Sequence, residues 1–333
     1  MSELRQNPAS GDWVIIAPER HHRPHPLRRE DGPRTPAPKA GCPFEDLKKS
    51  GNWPLVRARP SAGKWRIAVF QNKYPALARG GGACAEPFRH GIYRGRTGVG
   101  AHEIVVTRDH RKNFAALAPA AAHEVFEVFR ERIRAFAEDP CLAYAVPFMN
   151  WGPKAGASLW HPHYQIIASP IIPPHSARSL RGAAEYWNAR RRCVRCEMIR
   201  EERAEGARMI AENAHAVAFA PYASKVPFEA MIIPKKHQPY FYKTPSAALR
   251  GAAELVQSVM RRLKARAGDP DLNFFVHEAP IDGGRHGYHH WHVEILPRLS
   301  VPAGAEFSTG IFIDALPPET AAAILRGAKK HVA

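Results

Sequence analysis

Apolar residues fall into short runs and into two long stretches with helical spacing. The short runs, many of them rich in Val and Ile, predict strands at 13–17, 65–70, 102–107, 143–149, 161–167, 214–220, 228–233, 273–278, 288–297 and 308–314. The long stretches predict helices at 118–137 and 245–267, joined by a charged helix from about 178 and a closing helix at 317–329. Segments rich in Pro or Gly predict loops at 24–63 and 79–100.

The order of these elements is repeated, and so are the polar residues between them. His161-Pro162-His163 opens one strand, and His290-Trp291-His292 opens another. A histidine precedes the first motif by 51 residues and the second by 53, at His110 and His237. A repeated order and spacing of this kind indicates an internal duplication. We therefore predict an α+β fold of two duplicated halves, 1–175 and 176–333, each an antiparallel sheet with a long helix and both joined around a shared sheet.

Composition narrows the classes of protein that fit. The 333 residues are 45% hydrophobic and carry a formal net charge of +17, so a large core and a polyanionic partner are expected. The charge is spread along the chain, which favours small phosphorylated substrates over nucleic acid. Five cysteines, an odd number, argue against a disulfide framework and for a reducing compartment. Because no signal pattern or long apolar run is present, we expect a cytoplasmic protein without a membrane contact.

The strand predicted at 161–167 carries the candidate chemistry. In a strand, residues two apart point to the same face, so His161, His163 and Gln165 share one face. The preceding stretch, 150–158, is rich in small residues whose backbone N–H groups can approach a phosphate closely. A nucleophilic or metal-binding imidazole beside such a cradle fits phosphoryl chemistry. The alternative is a strand that carries two solvated histidines.

Cysteines, histidines and one glutamate form two sets of the ligand types that zinc binds. Each set joins a pair of residues three apart to two distant histidines: Cys193, Cys196, His237 and His290 in the second half, and Cys42, Glu45, His110 and His161 in the first. We predict up to two structural zinc ions, the weaker one where Glu45 replaces a sulfur. The alternative in each case is a set of unrelated side chains. Cys84 and Cys141 have no partner at ligand spacing and are predicted to be ordinary thiols.

Taken together, these motifs resemble the galactose-1-phosphate uridylyltransferases of the histidine-triad superfamily of nucleotide transferases. The resemblance covers most of the chain and includes Asn7-Pro8, Arg20-x-x-Arg23-Pro24, Cys42-Pro43-Phe44, Asn72-x-Tyr74-Pro75, Gly100-x-His102-Glu103, His161-Pro162-His163-x-Gln165 and the segment 290–298. It implies that both halves are histidine-triad-like and that the metal sites are paired. The chain also resembles plant-type relatives that act as nucleoside-diphosphate-sugar phosphorylases.

The resemblance implies a double displacement in which His163 attacks the α-phosphorus of a nucleotide sugar and a second phosphorylated acceptor then takes the nucleotide. Neutral imidazole is a good nucleophile near neutral pH, and the phosphoramidate that it forms is labile enough to pass the group on. Gln165 would bind a non-bridging phosphate oxygen. Ser158 and the backbone amides around Gly156 would hold the phosphates.

Four further residues are implied in substrate binding. Arg20 and Arg23 would supply positive charge for the phosphates. Asn72 and Asn150 would contact the nucleoside. The alternatives are a solvated basic loop for the two arginines and a turn residue for Asn72.

Two residues depart from the family pattern. Position 164 is usually small in the family, and the ring of Tyr164 is expected to narrow the site or to stack on a base. Glu306 lies in the segment where the sugar-phosphate transferases carry a lysine, and a carboxylate there would repel a phosphate. The acceptor is therefore open between a hexose 1-phosphate and inorganic phosphate.

Three functions compete. The first is transfer of UMP from a UDP-hexose to a hexose 1-phosphate, and the second is an ADP-glucose or dinucleotide phosphorylase or hydrolase that uses the same histidine. The third is a basic nucleic-acid-binding or scaffold protein on a degenerate fold, against which the intact His161–Gln165 motif argues. The expected partners are nucleotide sugars and sugar phosphates, without nucleic acid. A homodimer is a further expectation, since such relatives often pair.

Overall fold

The computed structural model describes residues 1–22 and 36–328. Its strands are β1 (Glu3–Gln6), β2 (Trp13–Ile16), β3 (Arg57–Arg59), β4 (Ile67–Gln71), β5 (Pro87–His90), β6 (Tyr93–Arg96), β7 (Ala101–Thr107), β8 (Tyr144–Trp151), β9 (His163–Ser169), β10 (Met209–Glu212), β11 (Ala216–Phe219), β12 (Ala230–Pro234), β13 (Leu272–His277), β14 (His292–Pro297) and β15 (Phe312–Asp314). Its α-helices are α1 (Pro119–Ala137), α2 (Pro174–Arg190), α3 (Val194–Glu205), α4 (Ser246–Arg266), α5 (Gly304–Thr309) and α6 (Pro318–Arg326). Short 3-10 helices lie at Pro18–His22, Phe114–Ala116, Pro153–Ala155 and Phe241–Lys243.

One antiparallel sheet of ten described strands joins the two halves of the chain. Its order is β10-β11-β12-β14-β13-β8-β9-β7-β4-β3. Outward from the centre, the first half runs β8-β9-β7-β4-β3 and the second runs β13-β14-β12-β11-β10, which is the same arrangement of corresponding strands. The halves meet where β8 pairs with β13, with Asn150 opposite Asn273. The predicted α+β fold of two duplicated halves around a shared sheet is confirmed.

The two long helices cover one face of this sheet. Helix α1 begins at Pro119, whose fixed φ suits a first turn, and buries apolar residues at helical spacing. It packs against α4, and a single apolar core runs beneath both helices and both halves. The fully buried amide of Gln257 in α4 donates hydrogen bonds to the carbonyls of Phe114 and Leu117, each at 2.9 Å. These bonds tie the second half to the loop before α1.

The opposite face of the first half carries a smaller apolar cluster. Phe44 and Leu47, from the loop before β3, pack there with four strand residues, Ala68, Phe70, Ile104 and Val106. This loop also contains two of the predicted metal ligands. The cluster therefore fixes the loop against the sheet at the face that carries the candidate site.

A separate three-stranded sheet joins the two ends of the chain. Strand β2 pairs with β1 and, in parallel, with β15. Val14 and Ile16 of β2 form an apolar cluster with Ala223 of the second half. These contacts join residues on both sides of the predicted boundary between the two halves, at residues 175 and 176. The position of this boundary stays a prediction. Among the described residues, no helix combines the length and the apolarity that crossing a bilayer requires.

Several segments fold differently from the sequence prediction, among them the predicted loop 24–63, which contains β3. The segment 79–100, expected to be loop, contains the hairpin of β5 and β6. The predicted strand at 308–314 shortens to β15 because α5 precedes it. The carboxylate of Glu306 accepts a hydrogen bond from the Ala303 N–H at 2.9 Å, and Gly310 ends the helix with a φ of 72°. A carboxylate in the first turn and a left-handed glycine after the last turn both favour a helix.

The prediction that Cys84 and Cys141 are ordinary thiols is wrong. The two cysteines form a disulfide, with Cα atoms 4.9 Å apart, although 57 residues separate them in sequence. The segment before the hairpin folds back onto the turn after α1, and only tertiary structure brings the two sulfurs together. The odd cysteine count was misleading because the other three thiols all lie in the metal-ligand clusters.

The expectation for Tyr164 is also wrong. Successive side chains of a strand alternate between faces, so Tyr164 points away from its neighbours His163 and Gln165. Its ring is fully buried in the main core, against Phe114 and Phe129. The ring therefore neither narrows the candidate site nor stacks on a base. Its hydroxyl is buried without a hydrogen-bond partner among the described residues.

Replacing Tyr164 by Phe should raise the free energy of unfolding by about 1–2 kcal/mol, because it removes a buried hydroxyl that has no partner. Tyr164→Ala should lower it by about 3–5 kcal/mol through the cavity it leaves. Chemical denaturation measures both changes. A large loss of activity in Tyr164→Phe without a loss of stability would contradict the placement of this ring in the core.

Alkylation of the denatured chain, purified without reductant and stripped of metal, should modify three cysteines. Cys84→Ser should increase the number to four because it releases Cys141. Intact-protein mass spectrometry counts the modifications. Five modified cysteines in the unreduced parent chain would show that the disulfide is absent.

Candidate active site and metal centres

Strand β9 lies between β7 and β8 and presents His163 and Gln165 on the face opposite the long helices. Gln165 pairs with Ile104 of β7, so this face continues across both strands. His163 is only 7% exposed, and Gln165 is partly exposed. The predicted nucleophile and the predicted phosphate ligand therefore lie side by side on this face of the sheet, the first nearly buried and the second partly accessible to solvent.

The His163 ring is held in one tautomer by the backbone that precedes its strand. Its Nδ1 lies 3.0 Å from the carbonyl oxygen of His161. A carbonyl can only accept, so Nδ1 carries the proton and Nε2 keeps its lone pair. Burial lowers the pKa of His163, against the effect of this hydrogen bond, and keeps the ring neutral near neutral pH. Nε2 is thus available as a nucleophile.

Phe44 shields the His163 ring from one side. Its ring meets the edge of His163 with centroids 5.3 Å apart, and it also contacts His161 at 5.6 Å. Phe44 is itself buried against Phe70. Its contacts restrict the rotation of the His163 ring and exclude water from that side.

The first predicted metal set converges in the structure. The candidate ligand atoms of Cys42, Glu45, His110 and His161 all lie within 4.8 Å of one another. His161 donates through Nε2 to the Thr107 carbonyl at 2.8 Å, and His110 donates through Nε2 to the Ala37 carbonyl at 2.9 Å. Both rings therefore turn the lone pair of Nδ1 inward, an arrangement that is usual for metal-binding histidines.

The spacing inside this cluster fits a bound cation. The two inward Nδ1 atoms are 3.2 Å apart, and His161 Nδ1 lies 3.5 Å from Cys42 Sγ. Glu45 Oε1 lies 3.0 Å from His110 Nδ1. Electron-rich atoms facing one another at this distance repel unless a cation or a proton lies between them. In a tetrahedron with metal–nitrogen bonds of about 2.0–2.1 Å, neighbouring ligands are about 3.3 Å apart.

The second predicted set converges in the same way. Cys193, Cys196, His237 and His290 also place their ligand atoms within 4.8 Å of one another. Cys196 Sγ lies 3.4 Å from His237 Nδ1 and 3.6 Å from His290 Nδ1, while His237 Nε2 donates to the Gly287 carbonyl at 2.9 Å. The hydrogen bond from Cys196, helped by both imidazoles, lowers the pKa of the Cys193 thiol. A thiolate is the form that binds a metal ion.

The predicted phosphate cradle lies at the end of β8. Gly156 adopts a φ of 84° after the short helix Pro153–Ala155, a conformation that favours glycine. Ser158, two residues further along the chain, is exposed and makes no hydrogen bond with a described residue. Asn150 accepts a hydrogen bond on Oδ1 from Asn273 Nδ2 at 2.8 Å, so its own amide N–H groups remain for another acceptor.

The other residues predicted to bind substrate do not all lie near His163. Asn72 follows β4, and its Nδ2 lies 3.2 Å from His102 Nε2, next to the Gln165 side chain. Arg20 lies in the 3-10 helix after β2, where its backbone N–H donates to the Ala17 carbonyl at 3.1 Å, but its side chain makes no hydrogen bond or ion pair with a described residue. Arg23 lies outside the described residues. The structure therefore brings Asn72 to the face of His163, whereas no described contact links Arg20 to it.

Two further side chains, His102 and Asn273, hold predicted site residues in place. The sequence alone indicated no separate role for either of them. His102 lies 2.8 Å from Gln165 through Nε2 and Oε1. Asn273 bonds both Asn150 and the Ala155 carbonyl, so it fixes the cradle from the second half of the sheet. The pairing of β8 with β13 brings Asn273 there, which no local sequence pattern indicates.

The second half repeats the histidine pair but not its surroundings. His292 Nδ1 lies 3.2 Å from the His290 carbonyl, as His163 does from that of His161. Its Nε2 lies 3.6 Å from Glu294, and its ring stacks on His277 with centroids 4.5 Å apart. Glu294 occupies the position that Gln165 has in the first half. A buried carboxylate would repel a phosphate there.

Two family descriptions match this sequence. Residues 1–173 match the N-terminal domain of galactose-1-phosphate uridyl transferase. Residues 97–326 match a domain of unknown function, DUF4921.

Individual relatives match over nearly the whole chain. An ADP-glucose phosphorylase of Arabidopsis thaliana is 30% identical over 97% of this chain and 92% of its own length. A galactose-1-phosphate uridylyltransferase of Thermotoga maritima is 26% identical over 98% of each chain. The crystal structure of an Arabidopsis thaliana ADP-glucose phosphorylase with bound ADP-glucose superposes with a TM-score of 0.84 at 27% identity, over 99% of this chain and 100% of that one.

Elemental analysis of the purified chain should find two metal ions per chain. Cys196→Ala and Glu45→Ala should each reduce the content to one, because each removes a ligand from a different cluster. Asp46→Ala, an exposed neighbour outside the cluster, is the matched control and should retain two. The cluster with Glu45 should lose its ion to a chelator first. Two ions retained in Cys196→Ala would contradict the second site.

Proposed function

We propose that this chain, which belongs to the galactose-1-phosphate uridylyltransferase family of nucleotidyltransferases, transfers a nucleotidyl group from a nucleoside diphosphate hexose through a covalent adduct on His163. The observation that carries the proposal is the tautomer of this ring. Because Nδ1 donates to the His161 carbonyl, Nε2 has a lone pair and faces the site. A neutral imidazole in a dry setting needs no proton transfer before it attacks phosphorus.

The first step forms one bond and breaks one. His163 Nε2 attacks the α-phosphorus, and the bond from this phosphorus to the bridging oxygen breaks, so that hexose 1-phosphate leaves with the electron pair. The proton stays on Nδ1 and keeps its hydrogen bond to the His161 carbonyl, whose oxygen stabilises the positive charge that the ring acquires. In the second step an acceptor phosphate oxygen attacks the same phosphorus and restores neutral His163.

The remaining predicted residues have roles that follow from their positions. Gln165 would donate its amide N–H to a non-bridging oxygen of the α-phosphate. The cradle at Gly156 and Ser158 would hold the second phosphate, and Asn72 and Asn150 would contact the nucleoside. The role of Arg20 and Arg23 in binding the phosphates stays a prediction, and the described contacts give it no support.

The acid in the second half favours His163 over His292 as the nucleophile. Nε2 of His163 faces no carboxylate among the described residues, whereas Nε2 of His292 lies 3.6 Å from Glu294, and His292 is only 1% exposed. Two residues after His163, at the position that corresponds to Glu294, lies Gln165, whose amide is a neutral hydrogen-bond donor. A dianionic diphosphate is compatible with the first setting and is repelled by the second.

For donor and acceptor we favour ADP-glucose and inorganic phosphate, which would yield ADP and glucose 1-phosphate. The ADP-glucose phosphorylase of Arabidopsis thaliana matches at 30% identity over 97% of this chain. In addition, the segment expected to hold a sugar phosphate offers Glu306, which caps its own helix, rather than a lysine. Inorganic phosphate is a small acceptor that needs no sugar site.

Uridylyl transfer between hexose 1-phosphates, the first expectation from the sequence, is the second candidate. It is supported by the match of residues 1–173 to the uridyl transferase domain and by the relative from Thermotoga maritima. Both candidates use the same first step, so they differ only in base and acceptor.

We propose that zinc occupies both metal clusters. Each cluster offers four protein ligands of the types that zinc binds, which is the composition of a structural site. Such an ion would hold a loop to the sheet. Cytoplasmic location, a homodimer and the absence of a nucleic-acid partner stay predictions from the sequence.

Turnover should be faster with ADP-glucose and phosphate than with UDP-glucose and galactose 1-phosphate, measured as release of glucose 1-phosphate. His163→Gly should lower either rate by about 10³-fold or more, because the nucleophile is lost. His292→Gln, a substitution at the corresponding position of the second half, should retain activity. Faster turnover with the uridine pair would favour the second candidate, and an active His163→Gly with an inactive His292→Gln would show that the nucleophile is wrongly assigned.

A further inference from the structure

His102 lies beside Gln165 because of the register between β7 and β9. Gln165 pairs with Ile104, so His102 is its diagonal neighbour on the same face. The ring is buried, with 6% of the residue exposed. His102 does not belong to either metal cluster. Its contacts must therefore have another purpose.

The hydrogen bonds of the ring determine its tautomer. The backbone N–H of Ala76 donates to Nδ1 at 3.1 Å, so Nδ1 carries a lone pair and no proton. The ring then has its proton on Nε2. Asn72 Nδ2 lies 3.2 Å from Nε2 and 3.4 Å from Nδ1, but an amide nitrogen cannot accept a hydrogen bond, so the acceptor for this proton is Gln165 Oε1, at 2.8 Å. The amide oxygen of Gln165 is thus bound to His102, and its N–H groups turn the other way, where no described residue accepts them.

We propose that His102 is a positioning residue that fixes the orientation of the Gln165 amide, so that Gln165 presents N–H groups rather than an oxygen to the α-phosphate. The two orientations of a glutamine amide have almost the same shape, and packing alone does not choose between them. An amide turned the wrong way would place an oxygen against a charged phosphate oxygen. This inference rests on the proposed function.

The same residue links the phosphate ligand to the segment predicted to bind the nucleoside. The Asn72 N–H donates to the His102 carbonyl at 2.8 Å, and Ala76 donates to the ring. The turn between them is closed by Asn72 Oδ1, which accepts from the Tyr74 N–H at 2.9 Å. A shift of the 72–76 turn would therefore also disturb the orientation of Gln165.

Two substitutions of His102 separate orientation from structure. Gln carries its amide near the position of Nε2 and can still donate to Gln165, whereas Asn is too short to reach it but keeps a polar group near Ala76. His102→Asn should lower kcat by about 10- to 100-fold with a smaller change in KM, and His102→Gln should recover most of the loss. Equal loss in the two variants would overturn the proposal, provided that thermal melting confirms that both are folded.

A double-mutant cycle tests whether His102 acts through Gln165. In a Gln165→Leu background, His102→Asn should have little further effect, since there is no amide left to orient. A full additional loss would overturn the proposal.

The tautomer can be measured without any turnover, which separates this proposal from the proposed function. ¹⁵N NMR of the histidine-labelled chain should find a proton on Nε2 of His102 and a lone pair on Nδ1. A proton on Nδ1 would overturn the inference even if the enzyme is active. If no nucleotide sugar is turned over, the proposed function fails while this measurement still decides the pairing.

Discussion

Hydrogen bonds from imidazole rings to backbone carbonyls decide which ring nitrogen each histidine offers, and the candidate site depends on them. His161 and His163 lie two residues apart and have opposite tautomers. His161 donates a hydrogen bond from Nε2 to the Thr107 carbonyl and turns Nδ1 to the metal cluster. His163 donates from Nδ1 to the His161 carbonyl, so its Nε2 keeps the lone pair. One short stretch of backbone therefore supplies both a metal ligand and a nucleophile.

The metal cluster and the nucleophile are coupled through Phe44. Cys42 and Glu45 belong to the cluster, and Phe44 between them packs on His163. An ion bound by this cluster would hold the loop, and the loop holds the ring. The second half has a ligand cluster of its own, with its two cysteines at the start of α3, but there His292 faces Glu294. Both halves therefore have the metal cluster and the histidine pair, and only the first half has a neutral residue beside the second histidine.

Features with local periodicity were predictable from the sequence. The long helices, the strands around them, the duplicated order and both ligand sets follow from spacing along the chain. What could not be predicted depends on contacts between distant segments: the Cys84–Cys141 bond, the Asn273–Asn150 pair and the contact of His102 with Gln165. The ring of Tyr164 was wrongly predicted to lie in the site, because the prediction rested on its size relative to the family pattern. The alternation of side chains along the strand would have assigned it to the core face.

In the proposed reaction, Nε2 of His163 becomes covalently bonded to phosphorus. This bond can be detected by mixing the chain with ADP-glucose in the absence of acceptor, quenching in base and mapping the peptides by mass spectrometry, with UDP-glucose in a parallel sample. We expect a nucleotide on the peptide that contains His163, lost in acid and discharged by added acceptor. A nucleotide on any other residue, or turnover without an adduct in either sample, would contradict it.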